Sequence, residues 1–295
     1  MNRGLLIGGS GQLGSEIARR WNDWDVVAPP HDQLDLERTD ALAAAIERAT
    51  PDAVINAAAF HNVDRCESEP ERAFAVNALA VARAARLCRD RAVRFVTVST
   101  DYVFDGASRR PYREDDCVHP ISVYGASKLA GELLVEALRS NALVIRTCGV
   151  YGVRPSASKG YTFVDRVIAK ARAGERLQIV SDVAASPTFA GHLAHAMHAL
   201  LASGAEGLYH VANVGPVSWY DFAREALAQA HLDDLIDPIP ADRWPQTARR
   251  PAFSALDSGK LASIGFEMPE WREGIRAYLG SLARTDEPGP PNAVT

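Results

Sequence analysis

An α/β fold, with a doubly wound parallel sheet and a smaller C-terminal α/β lobe, follows from three observations. Short β-type runs alternate with longer helical segments through the first 150 residues. A glycine-rich turn separates the first run from the first helix. The composition is that of an ordinary globular chain: of 295 residues, 47% are hydrophobic and 23% charged, close to typical averages.

The elements follow in order. The apolar run Gly4–Ile7 is the first strand, and a helix over Gln12–Trp21 succeeds it. Strands over Asp25–Ala28, Ala53–Asn56, Arg94–Ser99 and Leu143–Arg146 then alternate with helices over Thr39–Ala49, Glu71–Arg89 and Ser122–Arg139. Such alternation builds βαβ units and hence a parallel sheet covered on both faces. Right-handed crossovers wind it into a Rossmann-type sheet. After residue 150 the pattern loosens. The stretch Gly152–Gly160 precedes a helix, then a strand over Leu177–Val180; helices near Phe189–Leu201 and Trp219–Ala230 flank a strand over Leu208–Val211. The expected division is a Rossmann domain over 1–150 and an interleaved lobe over 151–284. A disordered tail is expected over 285–295, where Glu287-Pro288-Gly289-Pro290-Pro291 stands.

Composition also excludes. Glycine and proline number 21 and 17, well below the roughly 25–30% of low-complexity chains. A net charge of −5 and a pI of about 5.9 argue against nucleic-acid binding, which needs clustered positive charge. The four cysteines, Cys66, Cys88, Cys117 and Cys148, are well separated and read as isolated thiols. No apolar run reaches the ~18 residues of a membrane span, and the N-terminal apolar stretch is too short for a signal peptide. A cytoplasmic protein without membrane partners is expected.

The turn Gly8-Gly9-Ser10-Gly11-Gln12-Leu13-Gly14 opens the first helix. It suits a dinucleotide: a tight turn, a backbone without Cβ beside the pyrophosphate, and free N–H groups at a helix N-terminus. The second strand ends in Val27-Ala28-Pro29-Pro30-His31 without the usual ribose-binding acid, leaving Asp35 as the nearest candidate. No basic residue there claims a 2′-phosphate, so the choice between NAD and NADP stays open.

Tyr124 and Lys128 stand four apart, on one face of a helix. A neighbouring ammonium lowers a phenol pKa from about 10 toward the neutral range. Lys128 also has donors for a ribose. Ser99-Thr100-Asp101 ends the fourth strand, where such sheets present side chains to a ligand crevice.

Other features have plain readings. His192, His195 and His198, three apart on one helix, drift around it without a carboxylate among them, so no metal site is assigned. Glu67, Glu69 and Glu71 with Arg65 and Arg72 read as a solvated helix start. Trp219, Tyr220 and Phe222 read as core. Lys159, Tyr161 and Phe163 are candidates to meet the nucleotide half of a substrate.

Together these parts resemble the extended short-chain dehydrogenase/reductase superfamily. Within it, Asn56-Ala57-Ala58-Ala59, Val63-Asp64 and Glu67-Ser68-Glu69-Pro70 resemble the dTDP-4-dehydrorhamnose reductase family. So do the string Ser99-Thr100-Asp101-Tyr102-Val103-Phe104-Asp105-Gly106, Tyr124-Gly125 with Lys128-Leu129-Ala130-Gly131-Glu132, Gly207-Leu208-Tyr209-His210, Trp219-Tyr220 and Arg249-Arg250-Pro251. The resemblance spans most of residues 1–280. It implies a catalytic triad of Thr100, Tyr124 and Lys128, and cofactor contacts at Gly8, Gly11, Gln12, Leu13, Asp35, Leu36, Ala58, Ala59, Tyr124 and Lys128. It places Thr100, Asp101, Tyr102, Gly149 and Arg250 beside the substrate. It further implies NAD(P)H-dependent reduction of the C4 keto group of a nucleotide-linked 4-keto-6-deoxy sugar, dTDP-linked by preference, in dTDP-rhamnose biosynthesis. A homodimer, and Mg²⁺ in some members, are implied as well.

The departures bear on the sugar. Gly149 stands where the family usually carries a sugar-touching Trp; Phe253 and Ala255 stand where Asn and Arg are usual, and Ser186-Pro187-Thr188 replaces Ala-Pro-Thr. A close relative with an altered sugar pocket is therefore expected. Tyr102 follows Thr100-Asp101 where sugar-nucleotide dehydratases carry Glu, which disfavours dehydration. Epimerase activity remains an alternative, as does a non-catalytic NADP-binding subunit resembling the partner of methionine adenosyltransferase.

Overall fold

The computed structural model describes residues 1–138, 141–154, 160–232 and 235–285. The expected tail over 285–295 falls outside them beyond Thr285, as does Lys159.

In the first half, β1 (Asn2–Ile7), α1 (Gln12–Arg20), β2 (Trp24–Val27), α2 (Thr39–Ala49) and β3 (Ala53–Asn56) lead into two short helices, α3 (Val63–Ser68) and α4 (Pro70–Phe74). Next come α5 (Val81–Asp90), β4 (Arg94–Thr100), α6 (Val123–Ala137) and β5 (Leu143–Thr147). The second half holds α7 (Phe163–Arg172), β6 (Leu177–Val180), β7 (Ala184–Ala185), α8 (Ala190–Ala202), β8 (Gly207–His210), β9 (Val217–Ser218), α9 (Trp219–Gln229), β10 (Ile236–Ile239) and α10 (Trp271–Thr285).

The main sheet is parallel throughout and runs β2-β1-β3-β4-β5-β8. Its strands are nearly all-apolar because helices cover both faces. On one face Leu6, Val96 and Ile145 pack with Ile17 of α1 and Leu193, Met197 and Leu200 of α8. On the other, Leu5, Ile7, Val54 and Phe95 meet Leu42 and Ile46 of α2 and Ala84 and Ala85 of α5. The strand order reverses between β1 and β3, so the crevice for a ligand opens at that point, beyond the carboxyl ends of the strands.

Two differences from the sequence pattern position the site. The strand expected within the lobe over Leu208–Val211 is instead the sixth strand of the main sheet, paired with β5. The second half of the chain thus returns to cover the first. The single helix expected over Glu71–Arg89 is interrupted by a π-helical segment over Ala75–Ala80. There Asn77 bonds the Phe60 backbone through both its amide and its carbonyl oxygen, and donates to Ser127 Oγ at 3.0 Å. A Cβ on Gly131 would lie 2.3 Å from the Asn77 carbonyl oxygen, so only glycine lets α6 approach this close.

In the remaining lobe β6 pairs with β10 in parallel and β7 with β9 antiparallel. Helix α7 starts in a capping box, Thr162 accepting from Asp165 N–H and Asp165 from Thr162 N–H. An aromatic cluster of Tyr151, Phe189, Phe222, Trp271 and Tyr278 joins this lobe to the sheet. Among the described residues no helix is long and apolar enough to cross a membrane.

Candidate active site

The glycine turn is shaped by the chain itself at two of its ends. Gly8 has φ +83°, and a Cβ there would meet Ala58 N at 2.9 Å; a Cβ on Gly14 would sit 2.2 Å from the Gly8 carbonyl oxygen. Gly11 differs: its Cβ would make only an ordinary 3.4 Å contact. Internal packing therefore does not demand glycine at position 11, which faces the cavity with Gln12 and Leu13. A bare backbone facing open space at a helix N-terminus is what a pyrophosphate needs.

That cavity, about 400 Å³ in volume, extends from the turn along the strand ends. Ala58 and Ala59, after β3, line it next. At the end of β4, Thr100 Oγ1 accepts from Tyr102 N–H at 3.2 Å and donates to Asp101 Oδ1 at 3.1 Å. The Tyr124 phenol shares this cavity with Thr100, whose hydroxyl favours the phenol's ionised form.

Tyr124 stands in the first turn of α6, whose start is fixed twice. Ser122 Oγ accepts from Gly125 N–H at 3.2 Å, and Glu67 accepts from Val123 N–H at 2.8 Å. Glu67, read from sequence as part of a solvated helix start, is thus an N-terminal partner of α6, favourably placed against its dipole. Lys128, one turn on, is buried, and its Nζ donates to the Val98 carbonyl at 2.6 Å.

The spacing of Tyr124 and Lys128 predicts that the ammonium lowers the phenol pKa. The structure differs. Enclosure by protein pushes the Tyr124 phenol above its ordinary range, Thr100 only partly opposes this, and Asp101 adds to it. Burial brings Lys128 down from 10.5 to about 8, with Glu132 acting the other way. The ammonium is directed at a strand carbonyl rather than at the phenol.

Behind these groups lies a buried ionic cluster. Glu132, one turn beyond Lys128, accepts from Ser99 Oγ and binds Arg146 of β5 in bidentate fashion, the shortest contact 2.7 Å. Arg146 also approaches His210 of β8 at 3.4 Å. Burial and then Arg146 lower the His210 pKa to about 3, so this ring is neutral. The cluster ties three strands to α6.

On the substrate side, the buried Asp101 carboxyl is reached by the Cys148 thiol at 3.1 Å and by the Ser254 side chain. Burial raises its pKa, and these hydrogen bonds offset that in part. Tyr102 stacks edge-on against Tyr124, with ring centroids 5.8 Å apart. Gly149 adopts φ +51°, and a Cβ there would lie 3.0 Å from the Trp219 ring. Trp219, read from sequence as core together with Phe222, therefore forms the wall beside the place where the family's usual Trp would stand. Phe163 packs on it at 5.0 Å between ring centroids.

The structure brings Gly11, Gln12, Leu13, Ala58, Ala59, Thr100, Asp101, Tyr102, Tyr124, Lys128 and Gly149 to one cavity, with Tyr161 and Phe163 at its lobe side. It does not bring all the expected residues there. Gly8 shapes the turn from behind. Leu36 is 3% exposed within the core under β1, and Asp35 Oδ1 accepts from Glu37 N–H. Arg250 is bound to Asp64 at 2.8 Å beside the rim, where its neighbour Pro251 lines the cavity. Partial burial works to raise the Asp64 pKa, but Arg250 and the Thr247 and Ala248 N–H groups together hold it low. The three histidines of α8 have separate partners: His192 with Asn213, His195 with the Phe266 ring, His198 with Asp23. Thr147, Trp219 and Ser254 line the cavity without having been singled out for it.

A tyrosine and a glycine-rich βα turn that share one cavity at the carboxyl edge of a parallel sheet are the layout of an oxidoreductase of the extended short-chain dehydrogenase/reductase class. Residues 2–284 match the family described as RmlD substrate binding domain, and the chain belongs to that family. It is 38% identical over 297 residues to the dTDP-4-dehydrorhamnose reductase of Burkholderia thailandensis, covering 94% of this chain and 98% of the relative. It is 34% identical over 281 residues to the spore coat polysaccharide biosynthesis protein SpsK of Bacillus subtilis, covering 95% and 97%. The crystal structure of dTDP-4-dehydrorhamnose reductase from Bacillus anthracis in complex with NADP superimposes with a TM-score of 0.90 at 30% identity, covering 95% of this chain and 99% of that one.

Proposed function

We propose that this protein is an NAD(P)H-dependent reductase of the C4 carbonyl of a nucleotide-linked 4-keto-6-deoxy sugar, dTDP-4-dehydrorhamnose or a close relative, serving dTDP-rhamnose biosynthesis. The observation that carries the reading is the Thr100–Tyr124 pair at the end of β4, within the cavity that begins at Gly11. Relatives of nearly full coverage with that reductase activity, one in complex with NADP, support it.

Gly11, Gln12 and Leu13 would hold the pyrophosphate and Lys128 a ribose hydroxyl. When bound, the nicotinamide supplies the hydride to C4. The protein's own part is the proton and its geometry. Reduction needs a neutral acid at the carbonyl oxygen, and the raised Tyr124 pKa keeps the phenol protonated at neutral pH. With the sugar in place, the Thr100 O–H would turn from Asp101 Oδ1 to the carbonyl oxygen, orienting it and stabilising negative charge as it grows there. Tyr124 then gives its proton to that oxygen, while the Lys128 ammonium, one turn away and held by the Val98 carbonyl, keeps a positive charge beside the site. The Trp219 ring and the aromatic residues at the lobe side offer the sugar's C–H face an apolar wall. Tyr102, where a dehydratase would carry an acid, stacks on Tyr124 and has no carboxyl to take part in elimination.

The test is dinucleotide oxidation, with NADPH and NADH in separate arms, against a panel of dTDP- and GDP-4-keto-6-deoxy sugars. Tyr124→Phe should cut turnover by about 10²–10⁴ while dinucleotide affinity is retained. Near wild-type turnover in that variant, or no oxidation with any sugar, would sink the reading. A homodimer is the commonest symmetric oligomer and is included in the proposal. Sedimentation velocity tests the dimer, and a monomer opposes it; the same oxidation assay with and without a chelator tests the Mg²⁺ that the family resemblance implies, and an unchanged rate opposes it.

A further inference from the structure

Thr147, the last residue of β5, is 5% exposed, lines the cavity, and its Oγ1 has no hydrogen-bond partner among the described residues. Leaving a buried polar atom in this state is unfavourable, so its place in the wall calls for a cause. Among the described residues two other buried side-chain atoms share the condition, and neither has the same meaning. Arg94 Nε belongs to a guanidinium whose other nitrogens bond the Leu201 and Ala205 carbonyls. Tyr151 OH lies against Gly274 of α10, under the lobe.

The direction of the Thr147 side chain follows from strand alternation. Leu143 and Ile145 point to the face covered by α1 and α8, while Arg146 points to Glu132 of α6. Thr147 therefore continues the α1 face, past the end of the helix that covers its neighbours. Thr100 does the same on β4, after Val96, and the two threonines are paired in register. The Thr100 hydroxyl is committed to Tyr102 and Asp101, and the Cys148 thiol next to Thr147 is committed to Asp101. The free hydroxyl stands one strand beyond Thr100. A dinucleotide whose pyrophosphate rests on Gly11 has its two halves on opposite sides of the β1–β3 crevice, so its reactive end runs toward β4 and β5.

We propose that Thr147 Oγ1, closed off by protein in this structure, turns about its Cα–Cβ bond to donate a hydrogen bond to the carboxamide of the bound nicotinamide, and so fixes the rotation of the ring. The inference rests on the NAD(P)H-dependent reading above and adds a positioning contact to it. The experiment is fluorescence titration of wild type, Thr147→Val and Thr147→Ser with NADPH and with NADH, beside calorimetric titration with ADP-ribose, which lacks the nicotinamide. Thr147→Val keeps the shape and should weaken the better-bound dinucleotide about tenfold, equivalent to about 1.4 kcal/mol, with ADP-ribose affinity unchanged. Thr147→Ser should bind like wild type. Unchanged dinucleotide binding in Thr147→Val, or an equal loss for ADP-ribose, overturns the contact while leaving the reductase reading intact. Wild type that binds neither dinucleotide overturns both.

Discussion

Replacing Lys128 by Met should make the protein more stable and nearly inactive. Burial depresses the ammonium from 10.5 to about 8; at about 1.36 kcal/mol per pKa unit, holding it charged at neutral pH costs the fold about 3 kcal/mol. The variant loses the bond to the Val98 carbonyl, worth about 1 kcal/mol. The net gain is about 2 kcal/mol, or roughly 4 °C in Tm for a chain of this size. The pH dependence is a sharper check. The folded pKa lies below the unfolded one, so the unfolded chain keeps its proton to higher pH. Wild-type stability therefore gains from this group as pH rises from about 8 to 10.5, and the advantage of Lys128→Met shrinks across that window. The thiols of Cys66 and Cys88, which burial raises to about 11 and about 12, act alike in both proteins and cancel in the difference. Urea denaturation from pH 7 to 10 measures it. A variant less stable than wild type at pH 7, or a difference that does not change with pH, refutes the reasoning that a buried charge is kept here at the expense of stability.

Three further outcomes follow from the same geometry. Glu132→Leu leaves the Arg146 guanidinium buried without its bidentate partner and should cost about 3–5 kcal/mol in denaturant titration; a loss under about 1 kcal/mol would show the cluster to be hydrated. Gly149→Ala forces an L side chain to φ +51° and against the Trp219 ring, lowering stability by about 1–2 kcal/mol. The bulkier Gly149→Trp should be worse, so restoring the family's usual Trp should not rebuild its pocket; a stable Gly149→Trp would oppose this. Trp219→Ala should raise KM for the sugar nucleotide about tenfold, the equivalent of about 1.4 kcal/mol, with dinucleotide affinity unchanged, and an effect on kcat alone would place the ring elsewhere than against the sugar.

What was legible in the sequence was whatever local chain geometry enforces. A strand end places Thr100, a helical turn places Tyr124 and Lys128 on one face, and a βα turn places Gly11 beside a helix N-terminus; each needs only a few consecutive residues. The tip of a long side chain is another matter. The same four-residue spacing that put Lys128 under Tyr124 could not show that its ammonium turns to the Val98 carbonyl. Register is equally silent: nothing in the sequence shows that the Leu36 side chain, in a segment expected beside the cofactor, is buried among Leu5, Ile7 and Leu34. The π-helical segment had one trace in the sequence, a polar Asn77 within an otherwise small and apolar stretch, which makes sense only once Phe60 and Ser127 are seen around it. The substrate wall was least legible. Trp219 reaches Gly149 because the short β7–β9 pair fixes the residue just before α9, and nothing in either local sequence records that meeting. The proposed reacting end is therefore written in contiguous motifs, whereas the Gly149–Trp219 wall joins segments about seventy residues apart, so a departure such as Gly149 can be judged only with its distant partner in view.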